Sequence, residues 1–402
     1  MTEIYNTTTF PHLAFSNSDN QGREFGVLMV KVAFDIANDG TCRISEDQEP
    51  FCFTDRCHGE VNITSLKQPS DLVSYKPDVD VVVDATAYPP GASPCKSWTA
   101  GVEVIAESRS VVSKRLRVTG PRRWMPEWPK WLSEEQRSNW QAHRKLFKGW
   151  HLTEPEETLS VPIRYELAYG GLLDRGVDEN GASVSEAFEQ NPLGVGWLDP
   201  EISDLTTSYP APQIEALDDP ICEAYHHYKP EGFGPIPPAW LPRRKLGGTF
   251  DQQWLDAVAP KWPADYNFAY NNSAADGLVG KGFPTGDLAI ILENLRPDRE
   301  QFILTVPDPL IMMLVDNGTG EIEMIRPNLD TIYVSIAEER LFDCRVQLTW
   351  RMPFNQESTE AILLTVANKL DLAEMAMLAK TAKKAPHPEA CGVYCPELEE
   401  EA

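Results

Sequence analysis

Val30-Lys31-Val32-Ala33-Phe34-Asp35-Ile36 places Val30, Val32, Phe34 and Ile36 on one side of an extended chain and Lys31, Ala33 and Asp35 on the other. Successive side chains of a strand point to opposite faces, so this stretch predicts a β-strand with one buried face, the pattern of an antiparallel sheet. The same period recurs where Val112, Leu116 and Val118 oppose Val111, Arg115 and Arg117. Further strands are expected at Val79 to Tyr88, Ala100 to Ala106, Val161 to Tyr169, Leu288 to Leu292, Leu310 to Val315, Thr331 to Ile336 and Arg345 to Trp350.

The strands form an early set, about 10–120, and a late set, about 285–351. Between them, 121–284 is dense in Pro, Trp and Gly and predicts long packed connections with short helices. Ser133 ahead of Glu134, Glu135 and Gln136 caps one helix reaching about Phe147, and a second follows Thr249 near Trp254 and Leu255. The expected architecture is mainly β, of the α+β class. Antiparallel sheets from both sets share one core as a distorted sandwich or barrel, and 1–351 forms a single domain. Beyond it, 352–384 is an extension with a strand at Ile362 to Val366 and a helix at Leu370 to Lys384, and 385–402 is an acidic tail expected to be disordered after Pro386.

A chain of 402 residues with 42% hydrophobic content can bury a substantial core. Its 36 basic and 61 acidic side chains give a formal charge of −25, a field that repels polyanions and argues against nucleic acid or anionic membranes as partners. The start, Met1-Thr2-Glu3-Ile4-Tyr5-Asn6, lacks a basic region followed by an apolar stretch, and no apolar run approaches the roughly 18 to 20 residues that span a bilayer. A cytoplasmic protein is expected.

The eight cysteines are irregularly placed and read as free thiols in a reducing compartment. Cys52 with Cys57 and His58, and Cys391 with Cys395 and His387, gather thiolates, but neither group has paired CxxC spacing or an evident fourth ligand, so no metal is expected. The glycines at Tyr169-Gly170-Gly171, Gly194-Val195-Gly196 and Leu246-Gly247-Gly248 lack phosphate-loop spacing and read as tight turns or close backbone approaches. There is no GxSxG elbow and no HExxH helix, and the adjacent His226 and His227 would point apart in any regular element. Carboxylate pairs such as Asp218 with Asp219, or Glu166 with Asp174, are expected by chance among 61 acidic residues. No catalytic residue and no cofactor is therefore assigned, and the chain reads as a non-enzyme.

Nine of the eleven tryptophans fall in the middle region, from Trp124 to Trp262, where they either lock irregular backbone or supply an interface. The ordered series Tyr75-Lys-Pro-Asp-Val-Asp80, Ala87-Tyr88 with Pro90-Gly91, Thr119-Gly-Pro-Arg-Arg-Trp124, Val161-Pro-Ile-Arg-Tyr-Glu166 into Ala168-Tyr-Gly-Gly171, and Asn191-Pro-Leu-Gly-Val-Gly196 is followed downstream by Gly232-Phe-Gly-Pro-Ile-Pro237, Trp240 with Pro242-Arg243, and Gly248-Thr-Phe-Asp251. These motifs, in this order from Phe10 to Trp350, resemble a bacterial family long catalogued as a domain of unknown function. Its members are encoded beside type VI secretion spike proteins and toxins.

The resemblance implies an adaptor or chaperone that binds a cognate toxic effector and promotes its loading onto the spike protein. Contact residues expected on that reading are Arg122, Arg123, Trp124, Phe233 and Trp240. The readings from other classes are a carbohydrate-active enzyme or glycan-binding β protein with tryptophan platforms, and a secreted cargo domain.

Overall fold

The structure, a computed structural model, describes residues 3–19, 21–201, 203–316, 322–336, 344–355, 360–364, 377, 381–391 and 393–394. The strand that opens the sequence argument extends over Arg23–Ile36 and sits inside a sheet of eight strands. It pairs antiparallel with His12–Ser18 on one side and with Arg345–Phe354 on the other. Arg345–Phe354 pairs antiparallel with Asn328–Ser335, which runs parallel to Val79–Asp84. The sheet is therefore mixed, with one parallel pairing among the antiparallel neighbours that were expected. Parallel neighbours require a long crossover, and here the whole segment between Asp84 and Asn328 supplies it.

A second sheet is antiparallel throughout and runs, in spatial order, Ile214–Ala216, Arg109–Thr119, Ser97–Ala106, Leu288–Arg296, Arg299–Val306. Ser97–Ala106 and Arg109–Thr119 are joined by Glu107 and Ser108, both at positive φ, the conformation that lets a two-residue hairpin follow the twist of its strands. The two sheets share one core. Val30, Val32, Val81, Val83, Ile332 and Leu348 of the mixed sheet cluster with Val102, Val104, Leu116, Ile290 and Leu292 of the other, all nearly or wholly excluded from solvent. Early and late strands thus meet as expected, and no closed barrel forms among the described residues.

The supposedly open face of Arg23–Ile36 is covered as well: Lys31 is only 2% exposed. The segment 45–76 crosses that face and brings Asp71 within 2.9 Å of the Lys31 ammonium. From there a buried polar chain crosses the sheet. Arg351 donates to the Asp71 carbonyl at 2.9 Å and pairs with Asp330. Lys76 donates to Thr331 at 2.8 Å and to Asp80 at 2.7 Å, and Asp80 accepts from Asn272 Nδ2 and the Ser273 N–H. Three cations face three carboxylates, so the buried charge is balanced.

The two aspartates differ. At Asp80 burial works to raise the pKa, yet Lys76 and the donated hydrogen bonds outweigh it and hold the carboxyl below its ordinary value. At Asp330 burial prevails over Arg351 and Lys76 and pushes the carboxyl up.

A third sheet joins Glu3–Asn6, Glu360–Leu364, Met312–Asp316, Ile322–Arg326 and Lys383–Lys384 in that order. The expected strand at Ile362 to Val366 is observed at Glu360–Leu364, between Glu3–Asn6 and Met312–Asp316, so the C-terminal extension is tied into the body. The helix expected over Leu370 to Lys384 lies largely outside the described residues, and its last two residues are strand. Of the tail expected to be disordered after Pro386, residues 387–391 and 393–394 are described. Pro388–Cys391 is a helical turn, Val393–Tyr394 pairs with Glu24 and Arg23, and the His387 ring lies 5.0 Å from Tyr75 and 6.0 Å from Phe268. Cys391 and these rings provide apolar contacts that an acidic composition concealed. Residues 395–402 lie outside the described residues.

In the middle region the strand expected at Val161 to Tyr169 is replaced by a two-residue pairing at Val161–Pro162 and a 3-10 turn at Tyr165–Leu167. Pro162 has no N–H to extend a ladder, and Tyr165 turns inward to 3% exposure. The capped helix begins as expected, with Ser133 and Gln136 forming a reciprocal capping box. It breaks at Asn139 into Glu134–Ser138, Trp140–His143 and the 3-10 turn Arg144–Leu146. The second helix is Gln252–Ala257, capped by Asp251.

Candidate functional site

The motifs rich in Gly, Pro and aromatic residues converge on one wall of the middle region. Asn191, fully buried, donates from Nδ2 to the Tyr165 carbonyl at 2.8 Å and to the Tyr169 carbonyl at 3.0 Å. Gly170, at φ 146°, lies so close to this strut that an added Cβ would fall 2.1 Å from the Asn191 carbonyl oxygen. A side chain at Gly194 would meet Asn191 Nδ2 at 2.5 Å. The glycines therefore serve close backbone approach, as their spacing implied.

Tyr165, held by that strut, stacks edge-on against Trp240 at 5.6 Å, and its hydroxyl donates to the Gly234 carbonyl at 3.3 Å. Burial pushes its phenol pKa up, so it stays neutral. Gly232-Phe-Gly-Pro-Ile-Pro237 threads past: the Phe233 carbonyl accepts from the Val83 N–H at 3.0 Å, and the Ile236 N–H donates to the Ser273 carbonyl at 2.7 Å. Arg243 closes the wall, donating to the carbonyls of Tyr270 and Ile236, both at 2.7 Å.

These elements enclose a depression of about 400 Å³ whose apolar lining includes Tyr165, Ile236, Leu241, Pro242, Leu246 and Val279, with Lys229 and Asp276 as an ion pair at the rim. A second, more open depression of about 620 Å³ shares Gln190 and Leu241 with it, and Phe188 and Trp197 line its far side. The first is mainly apolar, whereas Glu186, Glu189, Gln190 and Arg244 also line the second, so the first is the one whose character suits apolar side chains.

Of the five contact residues expected from sequence, only Arg123 is exposed; its guanidinium donates to the Ser208 hydroxyl and carbonyl. Arg122, Trp124, Phe233 and Trp240 are between 0% and 8% exposed. The reason is alternation along the strand Arg122–Glu127, which turns residues 122 and 124 inward and residue 123 out. Arg122 there pairs with the buried Glu215 at 2.5 Å. Trp124 anchors a second apolar cluster with Tyr169, Leu198 and Tyr228. Phe233 and Trp240 belong to the main core, Trp240 backing the first depression through Tyr165.

The suspected chemical groups are dispersed. His226 stacks on Tyr228 and His227 on Phe188. Glu166 accepts from the Ser65 N–H, whereas Asp174 accepts from the Gly176 N–H in an exposed hairpin. Cys52, Cys57 and Cys391 are free, and burial raises each thiol above its ordinary pKa, the opposite of an activated nucleophile. Among the described residues no group of three His, Cys, Asp or Glu is disposed to hold a metal ion; Cys395 lies outside them.

One titratable cluster escaped the sequence reading. His58 Nε2 lies 3.9 Å from Asp84 Oδ1, and Lys67 Nζ lies 3.3 Å from Asp84 Oδ2. Burial lowers the His58 pKa despite Asp84.

The motif order that lines these depressions matches, over residues 21–351, a family described as an uncharacterized protein conserved in bacteria, DUF2169. The chain belongs to the DUF2169 family. The match spans the antiparallel sheet, most of the mixed sheet, both depressions and the strut at Asn191, so the depressions are built wholly of DUF2169 residues. No curated protein and no solved structure matches the chain. No helix among the described residues is long and apolar enough to cross a membrane.

Proposed function

We propose that the protein is a cytoplasmic type VI secretion adaptor that holds a toxic effector and promotes its loading onto the spike protein. The observation that carries the reading is the mainly apolar depression lined by Tyr165, Ile236, Leu241 and Leu246, which suits an apolar segment of an effector kept from water until export. Several polar groups of the lining are occupied: Arg243 and the Tyr165 hydroxyl bind three backbone carbonyls, Asn272 donates to the Asp78 carbonyl and to Asp80, and Lys229 pairs with Asp276. Such a wall offers shape and rigidity rather than a reactive group. The motif resemblance supplies the secretion context.

The test is a pull-down from the native bacterium with tagged full-length protein, wild type beside Leu246→Glu, followed by mass spectrometry. Leu246 is half-buried in the lining of that depression, so a carboxylate there charges the floor that an apolar segment would cover. Wild type is expected to retain a toxin and a spike protein, and the variant to lose the toxin by about tenfold or more, an effect of roughly 1.4 kcal/mol. Equal recovery by both proteins, or no toxin with either, would contradict the proposal.

A further inference from the structure

Residues 128–148 leave the antiparallel pair formed by Arg122–Glu127 and Gly149–Leu152 as an arm. Its base is closed by the Lys148 N–H donating to the Glu127 carbonyl at 2.9 Å and by the aromatic series Trp128, Phe147, Trp150 and Tyr209, each ring 5.3 to 5.5 Å from the next. Trp128 Nε1 also donates to the Leu205 carbonyl at 2.9 Å. The arm is thus fixed where it leaves the body.

Beyond the base, its three short helical turns bury no residue. Helices of this length have little stability of their own and usually persist by packing a face. Here Trp131 stands 71% exposed and Leu146 36% exposed.

The charge of the arm is also opposite to that of the chain. Within 128–148, Lys130, Arg137, Arg144, Lys145 and Lys148 outnumber Glu134 and Glu135, a local balance of +3 within a chain of −25. The ion pairs between Lys96 and Arg175 along the described chain include none of these five cations. Arg144 lies over the Trp140 ring and donates weakly to the Glu201 carbonyl, and Arg137 Nε is shielded with no partner.

We propose that this arm is a docking element for an acidic segment of a partner protein. Arginine and tryptophan are the residues that dominate protein interfaces, and the arm's cations complement carboxylates, while the acidic body confines that attraction to a segment short enough to lie along the arm. The arm shares no lining residue with either depression, so the proposal goes beyond the adaptor reading and can fail separately.

The test is fluorescence anisotropy of the full-length protein with a labelled peptide of about a dozen residues, mostly glutamate with two leucines, beside an oligothymidine probe of similar charge and phosphatidylglycerol vesicles. The acidic peptide is expected to bind in a salt-dependent manner. The double variant Lys145→Glu with Lys148→Glu, and Trp131→Ala alone, are each expected to weaken binding about tenfold or more with the melting temperature unchanged, because these side chains bury little. Leu246→Glu is expected to bind like wild type. Peptide binding that is absent, indifferent to the arm variants or lost with Leu246→Glu would overturn the proposal, as would tighter binding of the oligonucleotide or the vesicles.

Discussion

At the scale of single residues, His58 provides a test in which burial is the largest influence. Asp84 and Glu166 favour its protonation, Arg164 and Lys67 oppose it, and burial lowers its pKa below the ordinary 6.5. The unfolded chain therefore binds the proton first as pH falls, and stability is lost from about pH 6.5 down through the folded-state pKa. The melting temperature is expected to fall less between about pH 7.5 and 5.5 in His58→Gln than in wild type. Parallel curves would show that another group titrates. Nothing in the sequence around Cys57-His58 announces Asp84 as a neighbour, since the pairing arises only when 45–76 folds back over the sheet. The glycine motifs were legible because a need for close approach is local: Gly170 and Gly194 fit against Asn191 just as a residue without Cβ requires. The burial of four of the five candidate contact residues was not legible. Arg122 and Trp124 look like surface anchors in a list of residue types, and only the phase of the strand Arg122–Glu127 turns them inward.

At the scale of elements, strands with clean alternation were read correctly, and their second faces were not. Arg23–Ile36 carries Lys31 on what seemed a solvent face, but the crossing segment 45–76 and the Asp71 carboxylate enclose it. A buried cation matched by a carboxylate elsewhere in the chain leaves no periodic trace. The same holds for Asp330 and Arg351, both 2% or less exposed. Removing one member of such a pair strands the other, so Arg351→Met is expected to destabilise the protein by about 3 to 5 kcal/mol, measured by denaturant unfolding. Adding Asp330→Leu is expected to recover much of that loss. A single variant within about 1 kcal/mol of wild type would mean that water reaches Asp330. The short helices follow the same division: the Ser133 cap and its Gln136 partner were visible in sequence, whereas the break at Asn139 was not.

At the scale of the whole molecule, the division of the strands into early and late sets that share one core was legible, because both sets alternate and neither alone closes a sheet. The parallel pairing of Val79–Asp84 with Asn328–Ser335 and the pairing of Val393–Tyr394 with Arg23 and Glu24 were not, because both depend on where distant segments dock. The result is a β body with a mainly apolar depression on one wall and a basic aromatic arm, and the proposed adaptor role assigns a separate partner to each. The most direct measurement of that account is the secreted proteome of the native bacterium with and without this chain. The account predicts that one toxin disappears from the medium while the other secreted proteins remain, and that complementation restores it. An unchanged set of secreted toxins, or recovery of this chain itself in the medium as cargo, would contradict it.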